Sequence, residues 1–327
     1  MQPASVRARR RKAAAWLVAL LLLAVGAALL SVACGSSGCG ATPSAILELR
    51  LARTSAAFAT GALLALAGSL MQVLLRNPLA DPYVLGISGG AAVGALLAMA
   101  WLPALAFAVQ GGALAGAFLS LFLLFLLVRR AAFAPVAADH VAGGVRLILT
   151  GVMLAAAFGA FLSLLLALAP DNALRGVFFW LLGDLENSRL QGFGWAVLGL
   201  CLAWATLAAP RLNVLAHGDA TAWLLGISVG RLKLATLLMA SLATAAAVSM
   251  AGTIGFLGLV VPHALRLVLG NDQRLLLPTA VLGGGAVLVL ADLLARTVVA
   301  PVQLPVGVIT ALAGVPVFLF LLARSRA

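Results

Sequence analysis

The sequence predicts an all-α membrane protein: ten transmembrane helices, with the N- and C-termini both cytoplasmic. Three observations carry that expectation. Of the 327 residues, 64% are hydrophobic and only 9% are charged, a balance that water-soluble domains do not reach. The apolar residues gather into runs close to the roughly 20 that an α-helix needs to cross a bilayer. Finally, placing the N-terminus inside leaves only Arg50, Arg53, Arg175, Arg189 and Arg296 of the 21 basic residues on the outer side, as the retention of Lys and Arg in cytoplasmic loops requires.

The runs fall at 13–33, 54–75, 84–101, 107–128, 146–169, 192–209, 234–250, 253–269, 276–295 and 306–323. Arg7, Arg9, Arg10, Arg11 and Lys12 precede the first run, making residues 1–12 a basic cytoplasmic N-terminus. The same pattern opens a signal peptide, but this run is longer than the about 7–15 residues of a typical signal-peptide core, so it reads as a first span. Past it, Cys34 and Cys39 flank GSSG on the outer side; an oxidising compartment would allow a disulfide there, and two free thiols would fit as well. Cys201 lies inside an apolar run and reads as a packing residue. The second span ends at Arg76, where Pro78 and Pro82 prevent a continuous helix. Arg129, Arg130 and Arg146 mark the next inner loop, and PDNALRGVFFWLLGDLENSR, at 170–191 with its flanks, reads as a short helix outside or partly in the membrane.

Between the sixth and seventh runs lies RLNVLAHGDATAWLLGISVGRLK, residues 211–233. Arg211, Arg231 and Lys233 at its ends keep it at a membrane surface. Helix-start signals at Asn213 and at Asp219 with Thr221, followed by the break at Gly226, predict two short surface helices with a turn. An ordinary connecting loop is the alternative, although such connections usually take about 2–8 residues.

Within the spans, Gly61, Gly68 and the Gly283–Gly285 run predict crowded central helices, because small residues let helices approach closely in lipid. One internal echo is visible: Leu85-Gly86-Ile87-Ser88 recurs as Leu225-Gly226-Ile227-Ser228, each opening a helix that leaves the cytoplasm. It reads either as a trace of duplication or as coincidence. The whole chain is expected to form one transmembrane domain.

Several chemistries are excluded. There is no GxxxxGK[ST] phosphate loop, no zinc-like His/Cys spacing and no nucleophile elbow. The nine acidic residues fall in loops or near span ends, away from where proton relays of secondary transporters sit. A net charge of +12 does not indicate nucleic acid, because the basic residues are dispersed among short loops instead of forming one exposed face.

Five stretches then acquire meaning together: Arg50-Leu-Ala-Arg53, RNPLADPYVLGISGGA at 76–91, GTIGFLGLVVPHALR at 252–266, ADLLAR at 291–296 and QLPVGVITALAGVPVF at 303–318. In this order they resemble the FecCD family of ABC-importer permeases, which includes vitamin B12, iron-siderophore and haem permeases. The resemblance covers roughly residues 15–325. One departure is Gln303, where the family commonly has Glu before LPVG.

The resemblance implies a type II ABC importer permease fold. It also implies a homodimer in the bacterial inner membrane, with two ATP-binding cassette ATPase subunits inside and a periplasmic substrate-binding protein outside. The chain itself would bind no cofactor, ATP being used by the partners. Arg50, Arg53 and Arg296 would dock the binding protein, an Arg fork suiting carboxylates; an internal ion pair of Arg296 with Asp292 is the other reading. Residues 211–233 would couple to the ATPase through Asp219, Thr221 and Trp223, for which helix capping and interfacial anchoring are the alternatives. Asn77 and Leu79 would form a cytoplasmic gate, or merely a proline-stiffened turn. His263 is expected to make a structural hydrogen bond and not to ligate haem. Among family solutes the similarity favours haem, then a ferric siderophore, then cobalamin. A stand-alone secondary transporter or channel is the rival from another class.

Overall fold

Lipid supplies no hydrogen-bond partners, so a spanning segment must pair its backbone groups internally, and the described chain is helical almost throughout. The computed structural model describes residues 3–40, 43–102, 105, 107–132, 140–186 and 190–324. Arg189, assigned to the outer side above, lies outside them. In chain order come α1 (Pro3–Ala33), a hairpin of β1 (Cys34–Gly35) and β2 (Gly38–Cys39), α2 (Ser44–Leu74), a 3-10 helix (Pro82–Leu85), α3 (Ile87–Trp101) and α4 (Ala108–Ala132). There follow α5 (His140–Leu168), α6 (Asp171–Leu181), α7 (Gln191–Ala216), α8 (Asp219–Leu224), α9 (Val229–Ala251), α10 (Leu257–Leu269), α11 (Gln273–Thr297) and α12 (Val306–Arg324). Every predicted apolar run overlaps one α-helix. Among the described residues α1, α2, α4, α5, α7, α9 and α11 are long and apolar enough to cross a membrane, whereas α3, α10 and α12 are shorter apolar helices.

Helix α2 is the axis of the bundle. Its spanning window is 94% buried, and it packs against α7, α9, α10 and α11. The crowding anticipated from glycine is found here: a Cβ on Gly68 would lie 1.7 Å from the Gly258 carbonyl oxygen, and one on Gly61 2.3 Å from that of Gly284. Both crossings are backbone against backbone. At the other extreme, only 6% of the α5 window is buried.

The predicted short helix after residue 170 forms as α6 and is stitched into the bundle at its end. Val306 N–H donates to Gly183 O (3.0 Å), Gly307 N–H to Leu182 O (3.0 Å) and Asp184 N–H to Ala251 O (2.9 Å). Thr253 Oγ1 donates to Leu181 O.

Residues 211–233 correct the sequence reading. The chain makes one short surface helix, α8, where two were expected, because α7 continues through Pro210 to Ala216. Asn213 starts no helix. Instead its side chain ties α7 to the beginning of α11: Nδ2 donates to Asp272 Oδ1 (2.7 Å) and Oδ1 accepts from Gln273 N (2.7 Å). The echo of Leu-Gly-Ile-Ser is structural as well as textual. Gly86 and Gly226 both adopt positive φ, 77° and 75°, a conformation open to glycine at little cost, and each joins a short helix to a long one.

Candidate functional site

Three arginines and one carboxylate converge where α1 ends and α2 begins, the end assigned to the outside. Arg50 and Arg53 share α2 but part company. Arg50 reaches back to α1, its Nη1 donating to Val32 O (3.2 Å) and Ala33 O (2.9 Å) and its Nη2 to Ser37 Oγ (3.0 Å) and Gly38 O (2.9 Å). It thereby satisfies carbonyls that the end of α1 would leave without a helical partner. Arg53 reaches across to α11, its Nε lying 2.9 Å from Asp292 Oδ1, while its Nη1 donates to Gln303 Oε1 at 2.6 Å.

Arg296, in the last turn of α11, completes the group. Its Nε is 3.0 Å from Asp292 Oδ2, so the internal pair raised as an alternative is present. Its Nη2 donates to Ser31 Oγ at 2.7 Å. Asp292 is wholly enclosed, and Arg50 and Arg296 are buried. Arg53 is the more open side of the ion pairs, its side chain 13% exposed against 4% for Arg296. The cluster borders a cavity of about 440 Å³ whose lining includes Ser36, Ser37, Arg50, Arg53, Glu186 and Gln303. Three arginines against Asp292 and the cavity-lining Glu186 leave a net excess of one positive charge about that cavity.

Cys34 and Cys39 are joined by a disulfide, which closes the two alternatives left by the sequence.

At the opposite end, the turn after α2 is built by its own side chains. Leu79 N–H donates to Asn77 Oδ1 (2.9 Å) and Ala80 N–H to Asn77 O (3.1 Å), the local bonding that makes Asn a turn residue. Asp81 caps the 3-10 helix by accepting from Tyr83 N (2.8 Å). Burial pushes the Asp81 carboxyl above its usual range, partly opposed by that hydrogen bond. Burial likewise raises the Tyr83 phenol, whose oxygen accepts from Ile254 N at 3.1 Å.

Residues 211–233 lie beside this turn. A Cβ on Gly218 would sit 3.5 Å from Arg76 Nη1. Asp219 is buried and forms an ion pair with Lys233 of α9, which fastens α8 down. Thr221 and Trp223 face outward. So do two residues that sequence reasoning passed over, Leu224 and Leu225: Trp223, Leu224 and Leu225 are 59%, 76% and 65% exposed. Three adjacent large apolar side chains in a segment already assigned to a surface were the available signal.

His263 departs from expectation. It is buried, and neither ring nitrogen has a hydrogen-bond partner among the described residues.

The model of the FecCD transport family matches residues 14–324. The chain is 41% identical to the hemin transport system permease protein HmuU of Yersinia pestis, over 86% of this chain and 83% of that one. It is also 41% identical to the cobalamin import system permease protein BtuC of Halobacterium salinarum, over 85% of this chain and 73% of that one. Among solved structures it superposes on an inward-facing transporter described as of the metal-chelate ABC type, with TM-score 0.83 and 28% identity, covering 94% of this chain and 98% of the other.

Proposed function

The chain belongs to the FecCD transport family of ABC importer permeases, and on that premise we propose that it is the ten-span membrane subunit of an ATP-driven importer for a large metal chelate, haem or cobalamin. It works as a homodimer in a bacterial inner membrane with its chain ends in the cytoplasm. Two ATP-binding cassette subunits serve it from the cytoplasmic side and a binding protein delivers cargo from the periplasm. The observation that carries this reading is the contrast between the two ends of the bundle. One end gathers Arg50, Arg53 and Arg296 about a cavity; the other offers Trp223, Leu224 and Leu225 to a partner.

The chemistry of each end fits its proposed role. At the outer end an acidic surface of the binding protein meets the excess positive charge, with Arg53 making the direct contact and Arg50 and Arg296 supplying field. Such complementarity mainly speeds and orients encounter. At the inner end the apolar face of α8 enters a groove of the ATPase, with Thr221 beside Trp223 and with Asp219 bracing the helix through Lys233. Apolar anchors of this kind dominate the binding energy of an interface. ATP-driven approach of the ATPases displaces α8, and the turn at Asn77 and Leu79 opens or shuts the cytoplasmic exit in alternating access. No nucleotide and no cofactor is assigned to this chain; its partners hydrolyse the ATP.

Haem is favoured by similarity to HmuU and cobalamin equally by similarity to BtuC. Uptake of haem, cobalamin and a ferric siderophore into proteoliposomes, with and without the ATPase and binding protein, tests the proposal. Uptake of one chelate that requires both partners is the expected result. Accumulation by the permease alone would favour a secondary transporter instead.

A further inference from the structure

We propose that the Cys34–Cys39 disulfide is a positioning device for the outer arginines. The hairpin that it closes pairs Cys34 with Cys39 and Gly35 with Gly38, leaving Ser36 and Ser37 as the turn. Strands of two residues have no independent stability in water, so the covalent link holds this hairpin together. Two of the four acceptors of Arg50, Ser37 Oγ and Gly38 O, belong to it. The hairpin also enters between two like charges. A Cβ on Gly35 would lie 3.1 Å from Arg50 Nε and 3.4 Å from Arg296 Nη1, so the bare backbone at Gly35 is what fits there.

The disulfide therefore sets both the direction of Arg50 and its separation from Arg296. Without it the hairpin loses closure, Arg50 loses half of its acceptors, and repulsion from Arg296 turns it toward the cavity that Ser36, Ser37 and Arg50 line. Arg296 stays in place, because its partners Ser31 and Asp292 belong to α1 and α11. The inference rests on the docking reading only for what the arginines are positioned to meet; their placement is a property of the permease by itself.

The test therefore uses the full-length permease in lipid nanodiscs with no binding protein. Cys39 is exposed and open to tris(carboxyethyl)phosphine. That phosphine supplies two electrons and leaves as its oxide with oxygen from water, the two protons completing the thiols. Complete reduction is verified by the mass of the maleimide-capped protein, and p-hydroxyphenylglyoxal adducts are then quantified at each arginine by peptide mass spectrometry. Labelling of Arg50 should rise about tenfold or more on reduction, since a hydrogen bond to a charged donor contributes roughly 1.5–3 kcal/mol. Arg296 should change little, and the unfolding temperature should stay above that of the assay. Cys34→Ser with Cys39→Ser should match the reduced protein, and Gly35→Ala should raise Arg50 labelling with the disulfide intact. Unchanged Arg50 labelling after full reduction overturns the proposal. An equal rise at Arg50, Arg53 and Arg296 also overturns it, since that would make the disulfide a general staple. Loss of binding-protein docking in Arg53 variants is a separate measurement, so the two readings fail independently.

Discussion

Arg53 on α2 and Asp292 on α11 meet at 2.9 Å, Nε to Oδ1, and the same carboxylate takes Arg296 on its other oxygen. Two helices far apart in sequence are thereby joined at one end of the bundle by an enclosed anion. The glycine crossing of Gly61 and Gly284 joins the same pair farther along.

Removing that anion should be costly. Asp292→Ala would leave the Arg53 and Arg296 guanidiniums facing each other without compensation, a change that typically costs about 3–5 kcal/mol when a buried pair is broken. Thermal unfolding of the purified permease should show a large loss for Asp292→Ala and a smaller one for Arg53→Gln, whose side chain is partly open to water. Equal stability of Asp292→Ala and the parent would contradict the pairing.

Arg53→Gln should separate docking from folding. Its amide can still bond to Asp292, but the charge is gone, so association with the binding protein should slow and lose much of its salt dependence. The reading is taken by surface plasmon resonance at two ionic strengths. An unaltered on-rate would remove Arg53 from the docking surface.

At the other end, Trp223→Ala should weaken ATPase association by roughly 2 kcal/mol or more, the scale of an aromatic hot spot. Leu224→Ser with Leu225→Ser should act in the same direction. The ATPase should co-purify poorly and cargo uptake should fall while membrane yield is unchanged. Thr221→Ala, without an apolar anchor to lose, should have a smaller effect.

Asp81 predicts a pH dependence with a definite sign. Its folded-state pKa lies above the unfolded value near 3.9, so its ionised form is disfavoured by folding. Its contribution to stability therefore falls as pH rises through the window between those two values, and the full cost persists above the folded pKa. Asp81→Asn keeps an oxygen able to accept from Tyr83 N–H and cannot ionise. At neutral pH it should be as stable as the parent or more so, with less variation between pH 4 and 7 in thermal unfolding. Asp81→Ala, losing the cap, should be destabilised at both ends of that range by about 0.5–2 kcal/mol.

Much of the bundle was legible because bilayer thickness and charge retention act on sequence directly: each apolar run overlaps one helix. The Gly61 and Gly68 crossings were visible for the same reason, small residues having few other uses at the centre of an apolar helix. What stayed hidden depended on partners distant in the chain. Nothing near Arg50 marks the end of α1 as its acceptor, and nothing near Asn213 points to Asp272. The extension of α7 through Pro210 was missed because proline and the following Arg211 both read as terminators. Packing against α9 and α11 outweighs that local signal. Conversely, the polar character of Asp219 concealed that it turns inward to Lys233, leaving the segment's outward face mainly to apolar side chains.

The neighbourhood of Arg76 and Gly218 sets how far a mechanical signal has to travel. Arg76 immediately precedes the Asn77 turn and Gly218 immediately precedes α8, and a Cβ on Gly218 would meet Arg76 Nη1 at 3.5 Å, so the proposed lever and the proposed valve abut. A push on α8 thus needs no relay through the length of any helix. In that scheme the stroke can be small, and Gly218, held at φ 122° where a side chain would strain the start of α8, keeps the approach close.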